Sequence, residues 1–406
     1  MKRRKLLETI ALASGAMLLP VGCNSWVAKD ISGVSNRNRL ITIFLRGGID
    51  GLNVVVPYQD AEYYAARPTI AIPYPGELEG AIDLDGFFGL HPALKNILPL
   101  WRQKSLAFIY NSGSPDSTRS HFDAQDYMES GTPGLKSTPD GWMNRLLGRL
   151  PQDRLTQAVN VGNTTPKILQ GKMPVASLNP GKNSTRPISI DRPQISRAFD
   201  LMYGGEDNLS KAYQEGLKAR GIILEELTQE MMSANRNAGS VNQFVDDAKD
   251  VAQLMVSDAR TQLAFMEVGG WDSHIGEKAI FDRSLPNLGK GLATLVQNLG
   301  SLYSDTVIVL ISEFGRTVAE NGNGGTDHGH GNVMWLLGGG IRGGKVYHQW
   351  TGLEASELYE GRDLPVTIDF RDAIATILQQ HLAVSNQDLA DIFPQYQLAN
   401  KLNFLK

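Results

Sequence analysis

Residues 305–345 read DTVIVLISEFGRTVAENGNGGTDHGHGNVMWLLGGGIRGGK. The run Val307 to Ile311 is short, apolar and largely β-branched, the pattern of a strand covered on both faces. A polar, Gly-rich loop follows, then a second apolar strand, Val333 to Leu337, and a Gly-rich turn. Glu313 and Arg316 stand at the carboxyl end of the first strand, and Asp327, His328 and His330 close the loop. Ligands of open α/β sheets bind outside the carboxyl ends of the strands. This stretch therefore predicts an α/β fold with chemistry at that edge.

Other strand ends carry similar groups. Leu40–Leu45 reads as a buried strand running into Arg46-Gly47-Gly48-Ile49-Asp50-Gly51, where Asp50 is either a ligand or a turn residue capping the next segment. Leu106–Tyr110 leads into a loop holding Ser117, Thr118, Arg119, Ser120 and His121, followed by a helix over 123–129. A hydroxyl at such a junction can be a nucleophile or a helix cap. Ala264–Val268 ends in Gly269-Gly270-Trp271-Asp272-Ser273-His274, and alternate residues of an extended segment can converge on one ion. The chain has seven histidines, and His121, His274, His328 and His330 all lie in these loops. Mixed N/O donors without thiolates suit zinc or manganese. The number of candidates allows one or two ions, and two-metal sites serve in-line displacement.

Helices are expected over 93–103, 212–235, 241–256, 286–302 and 369–380, with short strands over 157–162 and 187–190. Residues 194–262 read as a helical insertion in a single domain spanning 38–400. The net charge of −4 argues against a nucleic-acid partner. At the N-terminus, Lys2-Arg3-Arg4-Lys5 and the apolar run 9–22 resemble an export signal, with a twin-arginine route open. Residues 1–30 are thus set aside as signal and linker. Cys23, the only cysteine, stands where a bacterial lipoprotein would be lipidated or where an ordinary signal is cut. Membrane contact is expected only through such an anchor.

The motifs RGGIDGLN, SHFDAQD, GGWDSH, SEFGRT and GTDHGHG together resemble the DUF1501 family of exported bacterial proteins, within the alkaline phosphatase-like superfamily. That resemblance implies a three-layer α/β/α sandwich around a largely parallel sheet. It implies a metal-dependent hydrolase of phosphate or sulfate esters in the periplasm or envelope, with a small-molecule or glycan ester as substrate. By position, Asp50, Asp272, His274, Glu313 and His328 or His330 would hold metal, with Asp327 beside them. Phe314 stands where the superfamily carries a His. Ser120 is the favoured nucleophile, with Thr118 and Ser117 as alternatives, His121 adjacent, and Arg316 or Arg119 clamping the anion. The competing expectation is an envelope binding or assembly protein that retains the hydrolase fold without catalysis.

Overall fold

The computed structural model describes residues 38–150, 158–162, 164–178, 235, 238–258, 261–399 and 402–406. The signal segment with Cys23, the strand expected at 187–190 and, save Asn235, the helix expected at 212–235 lie outside them. These described residues fall in one compact unit.

Its frame is a sheet of β1 (Arg39–Leu45), β2 (Leu106–Gly113), β3 (Ala158–Val161), β4 (Ala176–Leu178), β5 (Gly239–Ser240), β6 (Leu263–Gly269), β7 (Thr306–Ile311), β8 (Asn332–Gly338), β9 (Lys345–Tyr347) and β10 (Ile368–Asp369). The order is β9-β2-β8-β7-β1-β6-β3-β4, with β10 beside β2 and β5 beside β6. Pairing is parallel except where β8 meets β7 and β2.

Strand residues alternate between two cores. Ile41, Ile43, Ile308 and Leu310 pack in one, and Leu40, Phe44, Val307 and Val309 in the other. The first core is covered by α3 (Phe244–Ser257) and α4 (Glu277–Leu299), and the second by α2 (Trp142–Leu147), α5 (Phe370–Gln380) and α6 (Asn386–Ile392). This is the expected three-layer α/β/α sandwich, and burial on both faces accounts for the apolar runs of β1 and β7.

Some expectations are corrected. The helix expected to start at Pro286 begins at Glu277 and carries Pro286 inside it. The helix expected over 93–103 divides into a 3-10 turn, Pro92–Ile97, and a short α-helix, Leu98–Arg102, because Pro99 has no amide hydrogen to donate. Of the stretch expected as a helical insertion, the described helix α3 packs on α4 and covers the first core.

The reversed strand β8 positions the site. Since β8 runs against β7 and β2, the residues preceding it lie at the edge where the other two strands end. His328 thereby reaches the edge that carries the residues following β1, β2, β6 and β7.

Candidate metal centre

Close packing of the strand-end loops builds the site. Gly47 has φ +114°, and a Cβ there would lie 2.5 Å from the Asp272 amide nitrogen. At Gly48, with φ +64°, a Cβ would meet the Phe314 ring at 2.7 Å. Both positions require glycine, which explains the Gly47-Gly48 pair after β1. Arg316 then ties the loops together. Its buried guanidinium donates to the carbonyls of Gly47, Gly48, Thr326 and Trp271 and, at 2.5 Å, to Asp272 Oδ1. Arg316, one of the two arginines expected to clamp an anion, thus ties these loops together.

Three imidazoles gather around Asp272. His121 Nε2 lies 3.4 Å from Oδ2, while His274 Nε2 and His328 Nε2 lie 3.3 and 3.5 Å from Oδ1. His121, Asp272 and His328 form a group whose donor atoms all lie within 4.8 Å of one another. His274 joins on the Oδ1 side, its Nε2 2.8 Å from His328 Nε2. Tetrahedral zinc bonds of about 2.0–2.1 Å place neighbouring donors about 3.3–3.4 Å apart, close to the separations between the imidazoles and the two Asp272 oxygens, whereas the His274–His328 pair is tighter.

Hydrogen bonds on the far side of each ring fix its tautomer. His328 Nδ1 lies 2.9 Å from the Arg119 carbonyl, which can only accept, so Nδ1 carries the hydrogen. His121 Nδ1 lies 2.8 Å from Glu313 Oε1, and His274 Nδ1 lies 3.1 Å from Asp327 Oδ1. Both carboxylates are held in the ionised form. Burial opposes ionisation of Glu313, but its bond to His121 outweighs it and lowers the pKa to about 2. The His274 bond lowers Asp327 to about 2 as well. All three rings therefore turn Nε2 toward Asp272, the carboxylate–histidine arrangement that orients metal-binding imidazoles.

Two buried polar atoms at the centre, His121 Nε2 and Asp272 Oδ2, face each other at 3.4 Å and have no hydrogen-bond partner among the described residues. The 2.8 Å contact between His274 Nε2 and His328 Nε2 requires a proton on one nitrogen or a metal ion shared by both. Burial disfavours charge on Asp272, yet Arg316, His121 and His328 hold its carboxyl well below the usual range. Burial likewise disfavours charge on His121, but Asp272 and Glu313 prevail and push it up to about 9. The site is built to hold positive charge, and its His/Asp group can hold a metal ion.

Several expected ligands are placed otherwise. Glu313 Oε1 already accepts from His121, Gln125 and the Gly47 amide, so Glu313 supports His121 from behind. Asp327 does the same for His274. His330 packs against Tyr359 with ring centroids 4.7 Å apart, away from the donor group. Asp50 caps the turn Gly51–Val54 and pairs with buried Arg67, donor–acceptor distances 2.5 and 3.2 Å. The cap alternative for Asp50 is the one observed. His121, expected beside a nucleophile, is a donor in the group.

Ser120 is the N-cap residue of α1 (His121–Ser130), exposed, and makes no side-chain capping bond. Thr118 Oγ1 accepts from the Ser120 amide at 3.3 Å, and Ser117 is exposed. Arg119, one-third exposed, is paired with Glu360 and Asp363. Sequence reasoning missed Gln125, Asp363, Arg362 and Arg67. Gln125 alone carried a signal, since it lies within SHFDAQD one helical turn from His121.

A family model described as "Protein of unknown function (DUF1501)" matches residues 105–393, well over half the chain. The chain belongs to the DUF1501 family. No curated protein matches this DUF1501 chain in sequence. Among solved structures, it is similar to Ps i-CgsB in complex with k-i-k-neocarrahexaose, at 12% identity over 87% of this chain and 74% of that one, TM-score 0.44. It is also similar to the C-terminal periplasmic domain of EcEptC from Escherichia coli in complex with Zn, at 10% identity over 75% and 73%, TM-score 0.38. The lipoteichoic acid synthase LtaP from Listeria monocytogenes is similar at 11% identity over 82% and 73%, TM-score 0.38.

Proposed function

We propose that this protein is an exported, metal-dependent hydrolase of phosphate or sulfate esters, using one divalent ion, zinc or manganese. The observation that carries the reading is the convergence of three imidazole Nε2 atoms on Asp272, with every Nδ1 held by an acceptor. His121, Asp272 and His328 would hold the ion, with His274 as the further donor. When bound, such an ion supplies Lewis acidity toward an ester oxygen and lowers the pKa of a hydroxyl. Ser120 offers that hydroxyl: it adjoins His121, is exposed and is not engaged in capping. The first amides of α1 point from the same turn and favour negative charge there. The motif resemblance supplies the ester class, a small-molecule or glycan ester, and the N-terminal pattern supports export to the periplasm or envelope. No helix of the described residues is long and apolar enough to cross a membrane.

The test is metal content of the purified chain, followed by a panel of phosphate and sulfate esters with added Zn, Mn, Mg and Ca. About one equivalent of metal is expected, with turnover that Ser120→Ala lowers on the order of 10³-fold or more. A chain that carries its metal yet turns over no ester in the panel overturns the hydrolase reading.

A second reading has its own support. Four protein donors are the coordination of a closed structural zinc, and the guanidiniums of Arg316 and Arg119 are both engaged within the protein. On that reading the chain is a non-catalytic envelope binding protein. His274→Ala separates the two. A structural zinc loses its ion and its stabilising effect with that donor. A catalytic site keeps the ion on His121, Asp272 and His328.

A further inference from the structure

The loop that returns toward β10 presses a buried carboxylate against the back of the centre. Asp363 is fully buried. Its Oδ2 accepts from Arg119 Nη2 at 2.8 Å and from Arg362 Nη2 at 3.1 Å, and its Oδ1 accepts from Arg362 Nε at 2.9 Å. Both arginines lead to one imidazole. The Arg119 carbonyl accepts the His328 Nδ1 hydrogen at 2.9 Å. Arg362 Nη2 donates to the His328 carbonyl at 2.6 Å. The backbone is tied in as well: Asp363 bridges Thr317, and Arg316 bridges His328. One carboxylate thus holds the side chain of the residue whose carbonyl meets His328 Nδ1 and the arginine that grips the His328 backbone.

We infer that Asp363 is a positioning residue for the metal centre, acting through Arg119 and Arg362 to aim His328 Nε2 at Asp272. The inference rests on the metal centre proposed above. Charge pairing makes the device rigid: the Arg362 guanidinium meets the buried carboxylate at two points, which fixes its direction as well as its position, and Arg119 adds a single Nη2 bond. Glu360 contacts the same Arg119 at 2.6 Å, but from an exposed position where an ion pair contributes little. The two carboxylates on Arg119 are therefore expected to differ in effect.

The experiment measures Zn²⁺ affinity of the full chain by chelator competition and records the visible d–d absorption of its Co²⁺ form. Asp363→Asn keeps the shape and removes the charge. It is expected to weaken Zn²⁺ binding about 10–100-fold, the usual cost of losing an outer partner of a metal ligand, and to shift the Co²⁺ bands. Arg362→Gln, which frees the His328 carbonyl while leaving the Arg119 pair, is expected to move both readouts in the same direction. Glu360→Gln is expected to move neither. Asp363→Asn and Arg362→Gln both within about twofold of the unaltered chain, with unchanged Co²⁺ bands, overturn the inference while leaving the metal centre standing. An unaltered chain that binds neither ion overturns both. If Asp363→Asn fails to fold, Arg362→Gln decides by the same two readouts.

Discussion

Asp272→Asn is expected to purify with less than about a tenth of its metal, as loss of a charged donor from a small donor set implies. The asparagine amide would face the His121 and His274/His328 sides in place of the carboxylate oxygens, 3.3–3.5 Å from the three Nε2 atoms. An amide can direct only one oxygen toward them, and its NH₂ group would occupy a lone pair meant for the ion. Asp272→Ala adds a second loss. Arg316 is buried with its Nη2 on Asp272 Oδ1 at 2.5 Å, and removing the carboxylate leaves that guanidinium without its counter-charge. Breaking a buried pair from one side costs about 3–5 kcal/mol. Metal analysis together with denaturant unfolding separates the effects: Asn removes mainly the ion, and Ala removes stability as well. Full metal occupancy in Asp272→Asn sinks the assignment. Because the folded Asp272 pKa is depressed, its contribution is present above the unfolded value of about 3.9. It is lost as the pH falls through the folded one. The acid limb of the stability curve should be shallower in the Asn variant.

The sequence exposes the sheet because its strands are buried on both faces. Leu40–Leu45 and Val307–Ile311 need no partner to be read as strands. Site histidines are legible for a related reason: His121, His274 and His328 each follow or precede such a strand, and several of the chain's few histidines fall in these loops together. Direction is not written locally, and nothing within Asn332–Gly338 says that β8 runs antiparallel to both neighbours. Yet that reversal is what brings His328 to the shared edge. The roles of acidic residues are equally hidden. Glu313 and Asp272 occupy similar positions after parallel strands, and only the approach of Gly47 to Glu313 Oε1 and to the Asp272 amide decides which faces the imidazoles and which stands behind them. Arg67 lies outside any motif, after the short helix Ala61–Ala66, so no local signal could pair it with Asp50. The start of α4 was obscured by Pro286, whose preference for the first turn of a helix is overridden here by burial of the α4 apolar face.

Arg67→Met is expected to destabilise the fold by about 3–5 kcal/mol without touching a metal donor, again as a buried ion pair broken from one side. Arg67 is fully buried and donates to Asp50, Thr317 O and Val318 O, so one guanidinium joins the turn after β1 to the loop after β7. A second buried carboxyl, Glu277, belongs to this cluster, accepting from Asn53 at 2.7 Å and from Ser273 and Thr326 at 2.8 Å. Burial, then repulsion from Asp50, pushes the Glu277 pKa up to about 8. Without Arg67 both carboxyls lose the cation that faces them. Asp50→Asn should cost less, and the double variant Asp50→Asn/Arg67→Met should cost less than the sum, because the two groups form one unit. Metal content should remain at the unaltered level in Asp50→Asn, and a loss of metal there would return Asp50 to the ligand set. The Glu277 pKa is higher folded than unfolded, so its contribution is complete below about 4.3. It declines as the pH rises through about 8. Unfolding followed from pH 5 to 9 in chelator should show that decline reduced in Glu277→Gln; an unchanged slope would mean that Glu277 is ionised in the fold throughout. Ser273, which donates to Glu277, lies between Asp272 and His274. The carboxyl thus braces the loop that carries two of the proposed metal donors, which gives a buried acid so close to the centre a structural role.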